Sequence, residues 1–182
     1  MTDYQQKLES RFRQYPLSVP PTPWKETWSD SIGGLLEIGF AADSELLLVV
    51  SHEGRGVFDC STGKRVARDY EIDMEQWTDT IRLTAQGIGS LKRQTLSMAG
   101  IWGGGLPVCT ADDWHLEIIA VHWSQDIVVL CPPRSNVYSD TTFGECVKVF
   151  EGDSVRACGF SYTGRSFVIA EGSGISLTLF TR

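Results

Sequence analysis

LLEIGFAADSELLLVVSHEGRGVFDCSTGKRVAR, residues 35–68, is the stretch that decides the fold. Short runs of Leu, Ile, Val and Phe are cut at regular intervals by Asp, Ser, Thr and Gly, the texture of strands joined by tight turns. The reading places strands at Leu35–Phe40, Leu46–Ser51, 56–60 and 64–68, with turns at Asp43-Ser44, His52-Glu53-Gly54 and Ser61-Thr62-Gly63. Connections this short cannot carry a crossover, so adjacent strands must run antiparallel and the segment forms a meander.

Upstream, Tyr4, Leu8, Phe12 and Tyr15 recur at near-helical spacing and predict one amphipathic helix. Pro16, Pro20, Pro21 and Pro23 forbid its continuation, so the chain runs extended towards Trp24 and Trp28, which are expected to pack onto the body. Downstream, residues 70–79 are acidic and irregular with room for one helical turn, and 80–105 mix two weak strands with many glycines. Strand signals return at 116–123, 127–130, 147–150, Val155–Phe160, 166–170 and 175–180, with Pro132-Pro133 stopping one strand and 136–142 forming a polar loop. The expectation is an all-β, hairpin-rich antiparallel fold with one short N-terminal helix, built as a small propeller-like meander or a two-sheet sandwich. Residues 1–23 read as helix and lead-in, and 24–182 as a single β domain.

The 182 residues carry 16 Lys and Arg against 23 Asp and Glu, a formal charge of −7 that repels a phosphate backbone. Lys64-Arg65 with Arg68, and Lys92-Arg93, come nearest to a basic patch, and each reads as a solvated strand end or loop. A basic protein partner fits this balance, whereas nucleic acid and membrane do not. No run approaches the roughly 18 apolar residues of a membrane span, and the polar start lacks a secretory signal, so a cytoplasmic protein is expected. The five cysteines show no C-x-x-C and no regular spacing, and Cys109 with His52, His115 and His122 lacks zinc-ligand spacing. Free cysteines, no metal and no cofactor are the expectation.

The sequence echoes itself. Gly39-Phe40 through Val49-Val50 returns 120 residues later as Gly159-Phe160 through Ile169-Ala170, and both copies continue into a further apolar strand, at Gly56-Val57-Phe58-Asp59 and Gly174-Ile175-Ser176-Leu177. A weaker copy spans Val121-His122-Trp123 to Leu130. With Asp59-Cys60-Ser61-Thr62-Gly63 after the first copy, these phrases resemble the inner hairpins of WD-repeat β-propeller blades, although the Trp-Asp dipeptide and Gly-His start of that class are missing. The offset is three times the roughly 40-residue blade period. The resemblance covers about half the chain and implies an interaction platform.

Catalytic signatures are absent. No Gly-x-Ser-x-Gly elbow occurs, Ser51-His52 are strand neighbours facing opposite sides, and Asp112, Asp113 and Glu117 read as a solvated turn. The cluster Gly100-Ile101-Trp102-Gly103-Gly104-Gly105 lacks the lysine of a P-loop and reads as a tight loop passing close to other backbone. Six tryptophans are many for this length, and Trp suits binding anchors because it buries a large rigid area. Trp102 beside the glycines, and Trp77 with Glu71, Asp73, Glu75 and Asp79 around it, are therefore the candidate partner-binding residues. The expected function is non-enzymatic protein binding, and in character the chain resembles bacterial immunity proteins that neutralise a toxin. The alternatives are a hydrolase or sugar-binding β protein using Trp102 with Gly103–Gly105, and a structural subunit of a larger assembly.

Overall fold

A computed structural model describes residues 3–122, 124–172 and 176–182. In chain order the elements are α1 (Asp3–Gln14), β1 (Lys25–Ser31), β2 (Leu35–Phe40), β3 (Leu46–Ser51), β4 (Gly54–Asp59), β5 (Lys64–Asp69), β6 (Thr78–Asp79), β7 (Thr84–Gln86), β8 (Thr95–Ser97) and β9 (Ala99–Gly100). They continue with β10 (His115–His122), β11 (Gln125–Cys131), β12 (Val147–Asp153), β13 (Val155–Phe160), β14 (Ser166–Glu171) and β15 (Ser176–Thr181). Among the described residues the fold is mostly β, 47% strand against 12% helix, with a single short α-helix and no closed barrel. No helix among the described residues is long and apolar enough to cross a membrane.

Four antiparallel sheets form among the described residues. The expected meander becomes an N-sheet of order β5-β4-β3-β2-β9; a C-sheet has order β1-β15-β14-β13; β10-β11-β12 form a helix-side sheet and β6-β7-β8 a small sheet. Period-two alternation then stacks them. In β3, Leu47 and Val49 face the C-sheet residues Val168, Ala170 and Leu179, while Leu48 and Val50 face Trp77, Ala85 and Leu96 of the small-sheet layer. In β14, Phe167 and Ile169 turn the other way, onto Leu116, Val128 and Leu130 of the helix-side sheet. The outer face of that sheet, Ile127, Val129 and Cys131, is covered by Phe12 and Leu8 of α1. The order of layers is thus helix, helix-side sheet, C-sheet, N-sheet, small sheet. The two central sheets are buried on both faces, which is why β2, β3, β13 and β14 read as mainly apolar runs, interrupted inside the strands only by Glu37 in β2 and Arg156 in β13. Of the four residues expected to form the helix's apolar face, Tyr4 is exposed and the other three pack inward.

The sequence echo is a structural repeat. Ala41 N–H donates to Leu46 O at 2.9 Å, and Ser161 N–H to Ser166 O at 2.8 Å. His52 N–H to Gly34 O, at 3.0 Å, is matched by Gly172 N–H to Ser154 O, at 2.7 Å. Cys60 N–H to Glu45 O, at 2.9 Å, is matched by Arg182 N–H to Arg165 O, at 3.0 Å. The shared glycine has a packing reason: a Cβ on Gly39 would lie 2.4 Å from Ser97 O, and one on Gly159 would lie 2.4 Å from Leu106 Cβ. Where β5 follows β4 in the first copy, β1 from the far end of the chain pairs with β15 in the second, Lys25 opposite Thr181 through Ser31 opposite Ser176. The sequence reading missed this strand because Lys-Glu-Thr-Trp-Ser-Asp-Ser is a polar edge with no apolar alternation. Trp123 and the Gly174-Ile175 end of the second phrase lie outside the described residues, as does the His122 side chain.

Candidate partner-binding surface

Trp102 is displayed by a two-residue turn. Gly100 N–H donates to Gly103 O at 2.9 Å and Gly103 N–H returns to Gly100 O at 3.1 Å, so Ile101 and Trp102 occupy the tip. Gly104 follows at φ +82°, where a Cβ would stand 2.1 Å from Met98 O; only glycine fits there. The glycine cluster is thus a tight loop against other backbone, and two of its amides are consumed inside it. Its neighbour is the turn between β6 and β7: Met98 N–H donates to Leu83 O at 2.8 Å, and Leu83 Cδ1 lies 3.8 Å from the position of a Gly103 Cβ. Ile81 on that turn is 94% exposed, Ile101 55% and Trp102 41%. Three large apolar side chains therefore stand in water on two adjoining turns whose backbones are fixed.

The carboxylates divide between the ends of the β6–β7 hairpin. Asp79 accepts from the Ile81 and Arg82 amides at 3.1 and 2.9 Å and from Arg82 Nη1 at 2.8 Å; the Arg82 contacts hold its carboxyl below the usual range. Its charge is therefore matched locally. Glu71, Asp73 and Glu75 are exposed at the other end, where Asp73 N–H donates to Glu71 Oε1 at 2.9 Å and Gln76 Nε2 to Asp73 Oδ2 at 2.7 Å. Trp77 sits beneath them, 6% exposed, in the core between the N-sheet and the small sheet. The Arg55 guanidinium lies 4.4 Å over its ring. Of the two tryptophans singled out, Trp102 is open to a partner and Trp77 is a packing residue.

Sequence reasoning missed a cleft of about 370 Å³ between β1 and the N-sheet. Trp28 and Phe58, 5.0 Å apart, form its apolar wall, with Arg65, Arg68, Asp30 and Glu53 at its rim. These residues come from three separated segments, so no local signal could have announced it.

Of the catalytic candidates, Asp112 and Ser51 are engaged in structural contacts. Asp112 accepts from Arg182 Nη1 and Nη2 at 2.6 and 2.8 Å and from Thr110 Oγ1 at 2.8 Å, which keeps its carboxyl well below the usual range. The buried Ser51 hydroxyl donates to Gly54 O at 3.2 Å while His52 is exposed. Among the described residues no group of three His, Cys, Asp or Glu side chains could hold a metal ion. No protein-family model matches this chain, and no curated protein matches it either.

Proposed function

We propose that the chain is a non-enzymatic protein-binding module that grips a basic partner through the Ile81, Ile101 and Trp102 tip, with Glu71, Asp73 and Glu75 as its acidic flank. The observation that carries this reading is the exposure of three large apolar side chains on adjoining, backbone-locked turns. Exposed apolar clusters rimmed by polar residues mark interaction sites, and a rigid anchor loses little entropy when covered. The net charge of −7 favours a cationic partner and would speed its encounter. Neutralising a toxin, as an immunity protein does, is one role that this chemistry suits.

Affinity capture from native lysate is expected to return one stoichiometric basic protein. Against that purified partner, Trp102→Ala should weaken binding by about 30-fold, the cost of a hot-spot residue near 2 kcal/mol. Charge removal at Glu71→Gln and Glu75→Gln should slow association and flatten its salt dependence. Recovery of no stoichiometric partner, together with turnover in a broad hydrolase screen, would overturn the reading.

A further inference from the structure

The two basic runs that the sequence leaves apart, around 64–68 and at 92–93, meet in the fold. Between β7 and β8 a 3₁₀ turn, Gly89–Leu91, packs against β5 so closely that a Cβ on Gly89 would stand 2.7 Å from Ala67 Cβ. This brings Lys92 beside Arg68 and Arg55 around one cavity of about 290 Å³, whose wall includes the backbone at Gly87 and Gly89. Asp69 is the carboxylate of the lining and the Glu53 carboxylate lies 3.9 Å from Arg68, so three cations face two anions and the local charge is +1 in a chain of −7.

The three cations differ in what they have left to give. Arg55 is 8% exposed and committed: its Nε and Nη2 donate to Asp69 Oδ2 at 3.2 and 2.9 Å, and its Nη1 to Gln86 O at 2.7 Å. Arg68 spends Nη2 on Glu53 O at 2.8 Å, and its buried Nε has no hydrogen-bond partner among the described residues. Lys92 is exposed and forms no ion pair among the described residues. A fixed, paired guanidinium at Arg55, an Arg68 whose Nε is unsatisfied and whose Nη2 also lies 3.9 Å from Glu53 Oε2, and an exposed Lys92 without an ion pair among the described residues make an arrangement for an anion.

We propose that this cavity binds a small phosphate-class oxyanion, a free phosphate or the head of a small phosphomonoester. A phosphate offers several strong acceptors to converging Arg and Lys donors, and charge-assisted hydrogen bonds of that kind are about twice as strong as neutral ones. The volume stands at the lower end of ligand pockets, which suits a small ligand. Screening separates the candidates further: beyond about 8 Å at physiological salt the distant carboxylates no longer act on a small anion, whereas an extended polyanion would meet the whole acidic surface.

The test uses the full chain and inorganic phosphate, titrated calorimetrically at constant ionic strength against chloride and acetate, with phenyl phosphate and a phosphoserine peptide as further arms. One saturable site for inorganic phosphate is expected, with tighter binding of phenyl phosphate if the head belongs to a small ester, or of the peptide if it belongs to a modified protein. Lys92→Gln and Arg68→Gln should each weaken phosphate about tenfold, as losing one charged hydrogen bond implies. Arg165→Gln, at an exposed turn elsewhere, should bind as the parent chain does. A phosphate response equal to that of chloride, or undiminished binding by Lys92→Gln, overturns the proposal; that residue is exposed, so its substitution decides the matter even if Arg68→Gln does not fold.

Discussion

Replacing Trp24 tests how firmly the junction between the proline-rich lead-in and β1 is anchored to the body. Its ring is 3% exposed and lies 5.1 Å from Phe167, 5.5 Å from Phe160 and 5.8 Å from Trp114, with the Arg182 guanidinium 4.8 Å above it. It thus plugs the layer between the C-sheet and the helix-side sheet immediately before β1 begins. Trp24→Ala should cost about 3–5 kcal/mol, the range for emptying a buried aromatic site. Against a total stability of about 5–15 kcal/mol that is about a fifth or more, and for a chain of this size it lowers Tm by about 6–20 °C. Trp24→Phe should behave differently: the buried indole Nε1 has no hydrogen-bond partner among the described residues, so removing it relieves a desolvated donor while most of the ring contact survives. About 1 kcal/mol or less is expected. Urea denaturation followed by far-ultraviolet circular dichroism measures both, with an unchanged m-value showing that the same surface is exposed. A loss below about 1 kcal/mol for Trp24→Ala, or equal losses for the two variants, would refute the packing argument.

Glu37 is 2% exposed with its Oε1 unpartnered among the described residues, and burial pushes its carboxyl up. A carboxyl raised on folding takes up a proton, so its contribution is most favourable below the unfolded carboxylate range and is lost as pH rises through the folded value. Glu37→Gln should therefore gain stability over the parent chain near pH 7 and lose that advantage near pH 4; parallel stability curves would count against the assignment. Gly104→Ala, at φ +82° and 2.1 Å from Met98 O, should destabilise by about 1 kcal/mol or more and disturb the Trp102 tip, while Gly105→Ala, with nothing within 4 Å, should be silent in thermal melts. Cys109 is exposed while Cys60, Cys131, Cys146 and Cys158 are buried, and burial pushes Cys158 up to about 12, so a thiol reagent should label one equivalent in the native protein and five after denaturation.

What the sequence made legible follows from where free energy is concentrated. β2, β3 and β13 were placed to the residue because strands buried on both faces are largely apolar, Glu37 and Arg156 notwithstanding, and polar turns then mark their ends. The small sheet was legible only as two weak strands somewhere within 80–105, because strands of two and three residues hold no period that would place them. Trp77 read as an exposed anchor because its neighbours in sequence are acidic; what buries it is Arg55, 22 positions earlier, together with Leu48 and Val50 of β3. Trp102 carried a genuine local signal, since glycines three apart around two bulky residues are what a displayed two-residue turn requires.

The paired basic runs show the same limit from the opposite side. Lys92 and Arg68 are separated by 24 positions, and only the packing of the 3₁₀ turn on β5 makes them neighbours. The closing strand makes the point at the scale of the whole chain. β1 takes beside β15 the place that β5 takes beside β4, and its Thr27 Oγ1 lies 2.9 Å from Cys60 O, just past β4 of the N-sheet, and 3.2 Å from Leu179 O in the C-sheet. One threonine thereby bridges the two central sheets from a strand too polar to be recognised as one. Pairing of β1 with β15 thus ties the segment that follows the proline-rich lead-in into the C-sheet, and a strand that carries no apolar alternation closes the stack.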